Sequence, residues 1–171
     1  MKRYEILKSL PPYGPMYISI PNNNTYSEEL AVRFFKSDNT EWIANFQNGD
    51  GDLTVSFELN KHIVIIANGI CYVMNPDEQK PISTFGRSLI YANQLTDDRI
   101  ILTEYGNISI IEKDGTTWHS NSIGPDDLTI LKIESNIIYG QYSDYMGQSD
   151  EEWNNFTLNI DTKEIKAIAA S

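Results

Sequence analysis

The chain is poor in the groups from which most catalytic and metal centres are built. Of its 171 residues, one is cysteine and two are histidine. Cys71 has no partner for an internal disulfide, and its place in an apolar run reads as a buried structural thiol. Neither His62 nor His119 has a Cys, Asp or Glu at a recognised ligand spacing, so both read as edge or surface residues. A Gly-rich phosphate loop, a nucleophile elbow and a Cys–His pair are all missing. So is any uninterrupted apolar run of about 18 residues, the length that crosses a membrane as a helix. Residues Met1 to Leu7 lack the apolar core of a signal peptide. Together these absences predict a soluble, cytoplasmic protein that is not an enzyme and uses no metal, cofactor or membrane.

Basic residues are also scarce, with 13 Lys and Arg against 24 Asp and Glu and a formal net charge of −11. Unspecific attraction to phosphate backbones needs a basic surface, so nucleic acid is an unsuitable partner. An acidic surface attracts basic proteins and speeds their encounter, although the same charge also serves solubility alone.

What the chain does contain is a core and a repeat. A hydrophobic content of 40% over this length supports one compact domain. The segment from His62 to Asp77 overlays that from Arg99 to Asp114, with Gly69 and Gly106 standing 37 residues apart and Asp77 and Asp114 standing 37 apart. A third copy begins at Asn136 and resumes, after an insertion, from Asn154 to Asp161. Each copy reads as four strands. Alternating runs such as Leu53–Leu59 and Leu128–Ile133 supply the first, and the apolar runs Ile63–Ile66, Ile100–Leu102 and Ile137–Tyr139 the second. Asn68-Gly69 and Tyr105-Gly106 then turn the chain by a positive φ at glycine. The third strand ends at an aspartate expected to cap the next turn, and a fourth starts near Ile82, Trp118 or Ile165.

The N-terminal part fits as a divergent copy, with Ala31–Phe35 as third strand, a turn at Asp38 and Trp42–Phe46 as fourth. Ser27 to Ala31 could form a turn or two of helix. The predicted fold is all-β, a propeller-like array of about four consecutive four-stranded antiparallel sheets in units of approximately 1–48, 49–86, 87–124 and 125–171. Closed propellers typically have 4 to 8 blades, so the array is expected to be either an open half propeller or a minimal ring.

Three patterns are weighed and set aside. Asn48-Gly49-Asp50-Gly51-Asp52 is similar to a calcium loop but lacks the closing bidentate Glu, and reads as a turn between units. Paired carboxylates at Asp97-Asp98, Asp126-Asp127 and Glu151-Glu152 are sequence neighbours in turns, facing water rather than one another across a cleft. The glycosylation triplets at Asn23, Asn107 and Asn155 carry no meaning without a secretory signal.

The hairpins Glu112–Trp118 and Asn159–Ile165 resemble the third-to-fourth strand turn of WD-repeat blades, although the Gly-His and Trp-Asp signatures are missing. The likeness implies propeller-like packing and no function. The clearest functional signal is the break in the repeat from Ser143 to Trp153. Insertions in repeat proteins form loops on one face, often the binding face. Tyr145 and Trp153 are anchor-type residues, and Asp144, Asp150, Glu151 and Glu152 suit a basic cleft. With its acidity, size and partial-propeller plan, the chain resembles bacterial immunity proteins of contact-dependent growth inhibition and other polymorphic toxin systems. That resemblance implies a one-to-one inhibitor covering the active site of a cognate basic toxin, such as a nuclease. The alternative is a non-enzymatic protein–protein interaction scaffold that binds through open strand edges.

Overall fold

Turn residues at the 37-residue spacing fold each stretch back on itself in the computed structural model, which describes residues 2–13, 16–21, 28–143 and 153–168. The described residues form strands and turns and no helix, arranged in four four-stranded sheets. The second sheet holds β5 (Val55–Leu59), β6 (His62–Ala67), β7 (Ile70–Met74) and β8 (Pro81–Phe85) in simple order. The third repeats that meander with β9 (Tyr91–Gln94), β10 (Ile100–Glu104), β11 (Asn107–Ile111) and β12 (Thr117–His119). The fourth does so with β13 (Leu128–Glu134), β14 (Ile137–Ser143), β15 (Trp153–Asn159) and β16 (Ile165–Ile168). The all-β, propeller-like array expected from the repeat is therefore present, and no sheet closes into a barrel.

Why some strands are continuously apolar and others alternate follows from the stacking. In the second sheet, Ile63, Ile65 and Ala67 face the first sheet, packing with Val32, Phe34, Trp42, Ala44 and Phe46. The intervening Val64 and Ile66 face the third, against Ile100, Leu102 and Ile111. A strand buried on both faces has no room for polar residues. From the third sheet, Ile101, Ile108 and Ile110 meet Leu128, Ile138, Phe156 and Leu158 of the fourth. Among the described residues no further layer is stacked beyond that one, and β13 reverts to the half-exposed pattern of Leu128-Thr129-Ile130. Among the described residues no apolar cluster joins the first sheet to the fourth, so the array is open.

The first sheet departs from the repeat. Its strands β1 (Tyr4–Ile6), β2 (Tyr17–Ile20), β3 (Leu30–Phe35) and β4 (Glu41–Phe46) lie in the order β1-β3-β4-β2, with β2 parallel to β4. The segments expected as third and fourth strands are adjacent and antiparallel, but they occupy the centre of the sheet rather than one side of a meander. The helical turn expected at 27–31 is not formed over its described part, since Leu30 and Ala31 belong to β3. Glu28 and Glu29 instead accept loop amides, those of Leu10 at 2.9 Å and of Asn48. Ser27 lies outside the described residues.

Two turn assignments also need correction. Gly69 has the expected positive φ of 92°, but in the second hairpin the left-handed residue is Tyr105, at φ 34°. Gly106 is required for space instead, because a β-carbon there would stand 1.9 Å from the Gly124 carbonyl oxygen. Gly106→Ala is accordingly expected to destabilise the fold by about 1–3 kcal/mol, the usual cost of overpacking, measured by urea unfolding. An unchanged midpoint would contradict the close approach.

Of the four aspartates expected at the turns, Asp38 and Asp114 cap them, Asp38 accepting the Thr40 amide at 2.9 Å and its hydroxyl at 2.5 Å, and Asp114 the Thr116 amide at 3.0 Å and its hydroxyl at 2.6 Å. Asn75 and Asn159 cap the equivalent turns. That frees Asp77 and Asp161 to reach neighbouring sheets, Asp77 to the Ser37 amide at 2.6 Å and Asp161 to Arg99 at 2.6 Å.

Candidate functional site

Second-to-third strand hairpins gather at one end of the array together with the connections between sheets. The expected inter-unit turn around Asp50 is such a connection. Its Gly49, Asp50 and Gly51 amides donate to the carbonyls of Ala67, Arg87 and Asn68 at 2.9–3.0 Å. The link to the third sheet is held in the same way, with Leu89 N–H on Gly69 O at 3.1 Å and Arg87 and Ser88 N–H on a carboxylate oxygen of Glu104 at 2.8 and 2.6 Å. Further on, Ile123 N–H donates to Gly106 O at 2.7 Å, and the Tyr142 ring, near the end of β14, lies against Gly124. The end of β14 therefore sits at the same side as the Gly69 and Gly106 turns.

The predicted partner-binding loop issues from this end. Asp144, Tyr145, Asp150, Glu151 and Glu152 lie outside the described residues. Trp153 is described, as the first residue of β15, and it is 38% exposed although large and aromatic. Its ladder partner Ser143 is buried, with the backbone amide donating to Asp127 O at 2.8 Å. Both boundary residues of the insertion are thus in strand, and β14 and β15 each run to 7 residues.

At this end there is also a shallow groove of 510 Å³ between the second and third sheets, lined by Asp50, Asp52, Leu53, Ile90 and Tyr105 among others. Ile90 is 50% and Tyr105 53% exposed. Asp50 pairs with Arg87, whereas no ion pair engages Asp52 among the described residues. These residues escaped the sequence reading because each falls in a turn that is unremarkable alone. The available signal was Tyr105 beside Gly106, an aromatic placed where the hairpin must turn outward.

Reactive chemistry elsewhere is sparse. Burial pushes the Cys71 thiol well up from its usual range, leaving it protonated and inert. His119 Nδ1 lies 2.8 Å from Ser109 Oγ across the β11–β12 ladder, and its ring stands edge-on to Phe85 at 4.7 Å. This pair ties the third sheet to the second. Tyr72, its hydroxyl donating to Gln47 O at 2.8 Å, is pushed up to about 12 by burial first and then by Glu29. Among the described residues no group of three or more His, Cys, Asp or Glu side chains could hold a metal ion, and no helix is long and apolar enough to cross a membrane. No protein-family model, curated protein or solved structure matches the chain.

Proposed function

We propose that the protein binds and neutralises a basic protein partner through its hairpin end, in the manner of an immunity protein covering the active site of a cognate toxin in a one-to-one complex. The observation that carries this reading is the conjunction at one end of exposed Ile90, Tyr105 and Trp153 in a molecule of net charge −11. Exposed aromatic and aliphatic anchors supply slow release, and a surrounding negative field supplies fast, salt-sensitive association. Carboxylates from Asp144, Asp150, Glu151 and Glu152 would take the place of substrate phosphates in a nuclease-type cleft.

The test is capture of the partner from the native host, followed by affinity measurement with two variants. Asp150→Lys, Glu151→Lys and Glu152→Lys together are expected to weaken binding by several kcal/mol and to slow association, since like charges then oppose a basic cleft. Tyr105→Ala is expected to speed dissociation by more than tenfold, as loss of a central aromatic does. Unchanged affinity in both variants would move the interface elsewhere, and a captured partner without a basic surface would remove the electrostatic reading.

A further inference from the structure

The opposite end of the array carries a different chemistry. There the β3–β4, β5–β6 and β7–β8 turns surround a cleft of 780 Å³ between the first and second sheets. Four cations line it, Lys2, Arg3, Lys36 and Lys61, against one carboxylate, Asp77. Four of the 13 basic residues thus converge on one cleft of a strongly acidic chain. Asp77 is already engaged by the Ser37 amide at 2.6 Å. Lys2 and Lys36 have carboxylates at the rim, Glu5 at 3.1 Å and Asp38 at 3.5 Å. Lys61 has no ion-pair partner among the described residues, and Arg3 is held in place by donating to the Asn60 and Lys61 carbonyls.

The remaining walls are informative. Phe35 and Pro76 give the cleft an apolar side. His62 also lines it, while its Nδ1, buried and without a hydrogen-bond partner among the described residues, lies against Gly115 in the turn between β11 and β12. Burial, and after it the charge of Arg3, hold this imidazole below its usual titration range in spite of the opposing pull of Asp114, so the ring is neutral at pH 7 and the positive field belongs to the lysines and arginine. Bringing like charges together is unfavourable unless a counter-ion joins them. A volume of this size suits a small molecule rather than a folded segment.

We propose that this cleft binds a small phosphate-bearing molecule, with the phosphate between Lys61, Lys36 and Lys2 and an apolar or planar body against Phe35 and Pro76. A doubly charged group is preferred to a single carboxylate because it can meet several ammonium groups at once. The site lies away from the hairpin end and stands independently of the partner-binding reading.

Isothermal titration of the full chain with pyrophosphate, and separately with adenosine monophosphate, tests it. Both are expected to bind saturably and more weakly as salt rises, and the nucleotide to bind more tightly than inorganic phosphate, titrated in parallel, because it also uses the apolar wall. Lys61→Glu, an exposed position, is expected to reduce affinity at least tenfold with no change in the thermal unfolding midpoint, and Lys36→Gln to weaken binding as well. The proposal fails if neither probe gives saturable binding at millimolar concentration, or if Lys61→Glu leaves affinity intact. Binding of a poly-glutamate peptide but of neither phosphate probe would assign the cleft to an acidic protein segment and overturn it equally.

Discussion

Replacing Phe46 with alanine is expected to lower the free energy of unfolding by about 3–5 kcal/mol, the upper part of the range for buried aromatic truncations. Phe46 is completely buried where the first sheet meets the second, its ring 4.8 Å from that of Tyr72 and 6.1 Å edge-on from Phe34. The cavity cannot easily collapse, because its neighbours are tethered. Tyr72 is held by its hydroxyl to Gln47 O at 2.8 Å, and Trp42, stacked on Phe34 at 4.8 Å, donates from its indole nitrogen to Pro76 O at 2.8 Å. Denaturant unfolding measures the total cost. Amide exchange then locates it, since stability in a stacked array is a sum of units and nearest-neighbour interfaces. The β3 and β4 amides should exchange faster in the variant while those of β10 and β11 keep their protection. A loss below about 1 kcal/mol would mean that this joint contributes far less than its burial implies.

The second large effect concerns a charge rather than a ring. The Arg99 side chain is only 7% exposed, and it joins the third and fourth sheets through Asp97 at 2.7 Å and Asp161 at 2.6 Å, with a further bond to Asn136 Oδ1 at 3.2 Å. Removing both carboxylates with Asp97→Ala and Asp161→Ala leaves a buried guanidinium without a counter-charge, and is expected to cost about 3–5 kcal/mol. Arg99→Met should cost less, because it leaves an apolar chain of similar length and two carboxylates that water reaches. If the methionine variant proves the more damaging, Arg99 acts through its hydrogen bonds rather than as a charge needing compensation.

Acid titration of stability gives an independent check on the same network. Burial alone would raise the Asp97 carboxyl, but the hydrogen bonds and charge of Arg99, with Lys113 added, hold it below its ordinary value. A carboxyl depressed in the folded state contributes stability above its unfolded pKa, and that contribution is lost as pH falls through the folded value. Wild type is therefore expected to lose more stability than Asp97→Asn on acidification below about pH 4, the ordinary aspartate range.

The second, third and fourth sheets were legible in the sequence because their pairings are local and their turn residues recur. Gly69 and Gly106 mark the same hairpin, and the alternation of β13 marks a strand with one wet face. The first sheet was not legible in the same way. Its strands at Ala31 and Trp42 are strongly apolar, but the parallel docking of β2 beside β4 depends on a crossover that no short-range pattern encodes. Turn chemistry was read one step too simply. An Asx residue is needed to cap, yet whether Asn75 or Asp77 performs it depends on which side chain a neighbouring sheet recruits.

For the candidate site, the sequence isolated the segment after Ser143 by its failure to repeat; of the residues named there for partner binding, Trp153 alone is among the described residues, and it is 38% exposed. Ile90 and Tyr105 join that end only when the sheets stack. The cationic cleft was invisible for the same reason, since Lys2, Lys36 and Lys61 are far apart in the chain and meet through the docking of two sheets.

The neighbour-only stacking has a kinetic consequence. Each of the last three sheets is completed by strands that follow one another, so no step in their assembly requires distant parts of the polypeptide to find one another first. Closure entropy is met in short instalments, and the slower search belongs to the first sheet, where β2 must dock alongside β4 across twenty intervening residues.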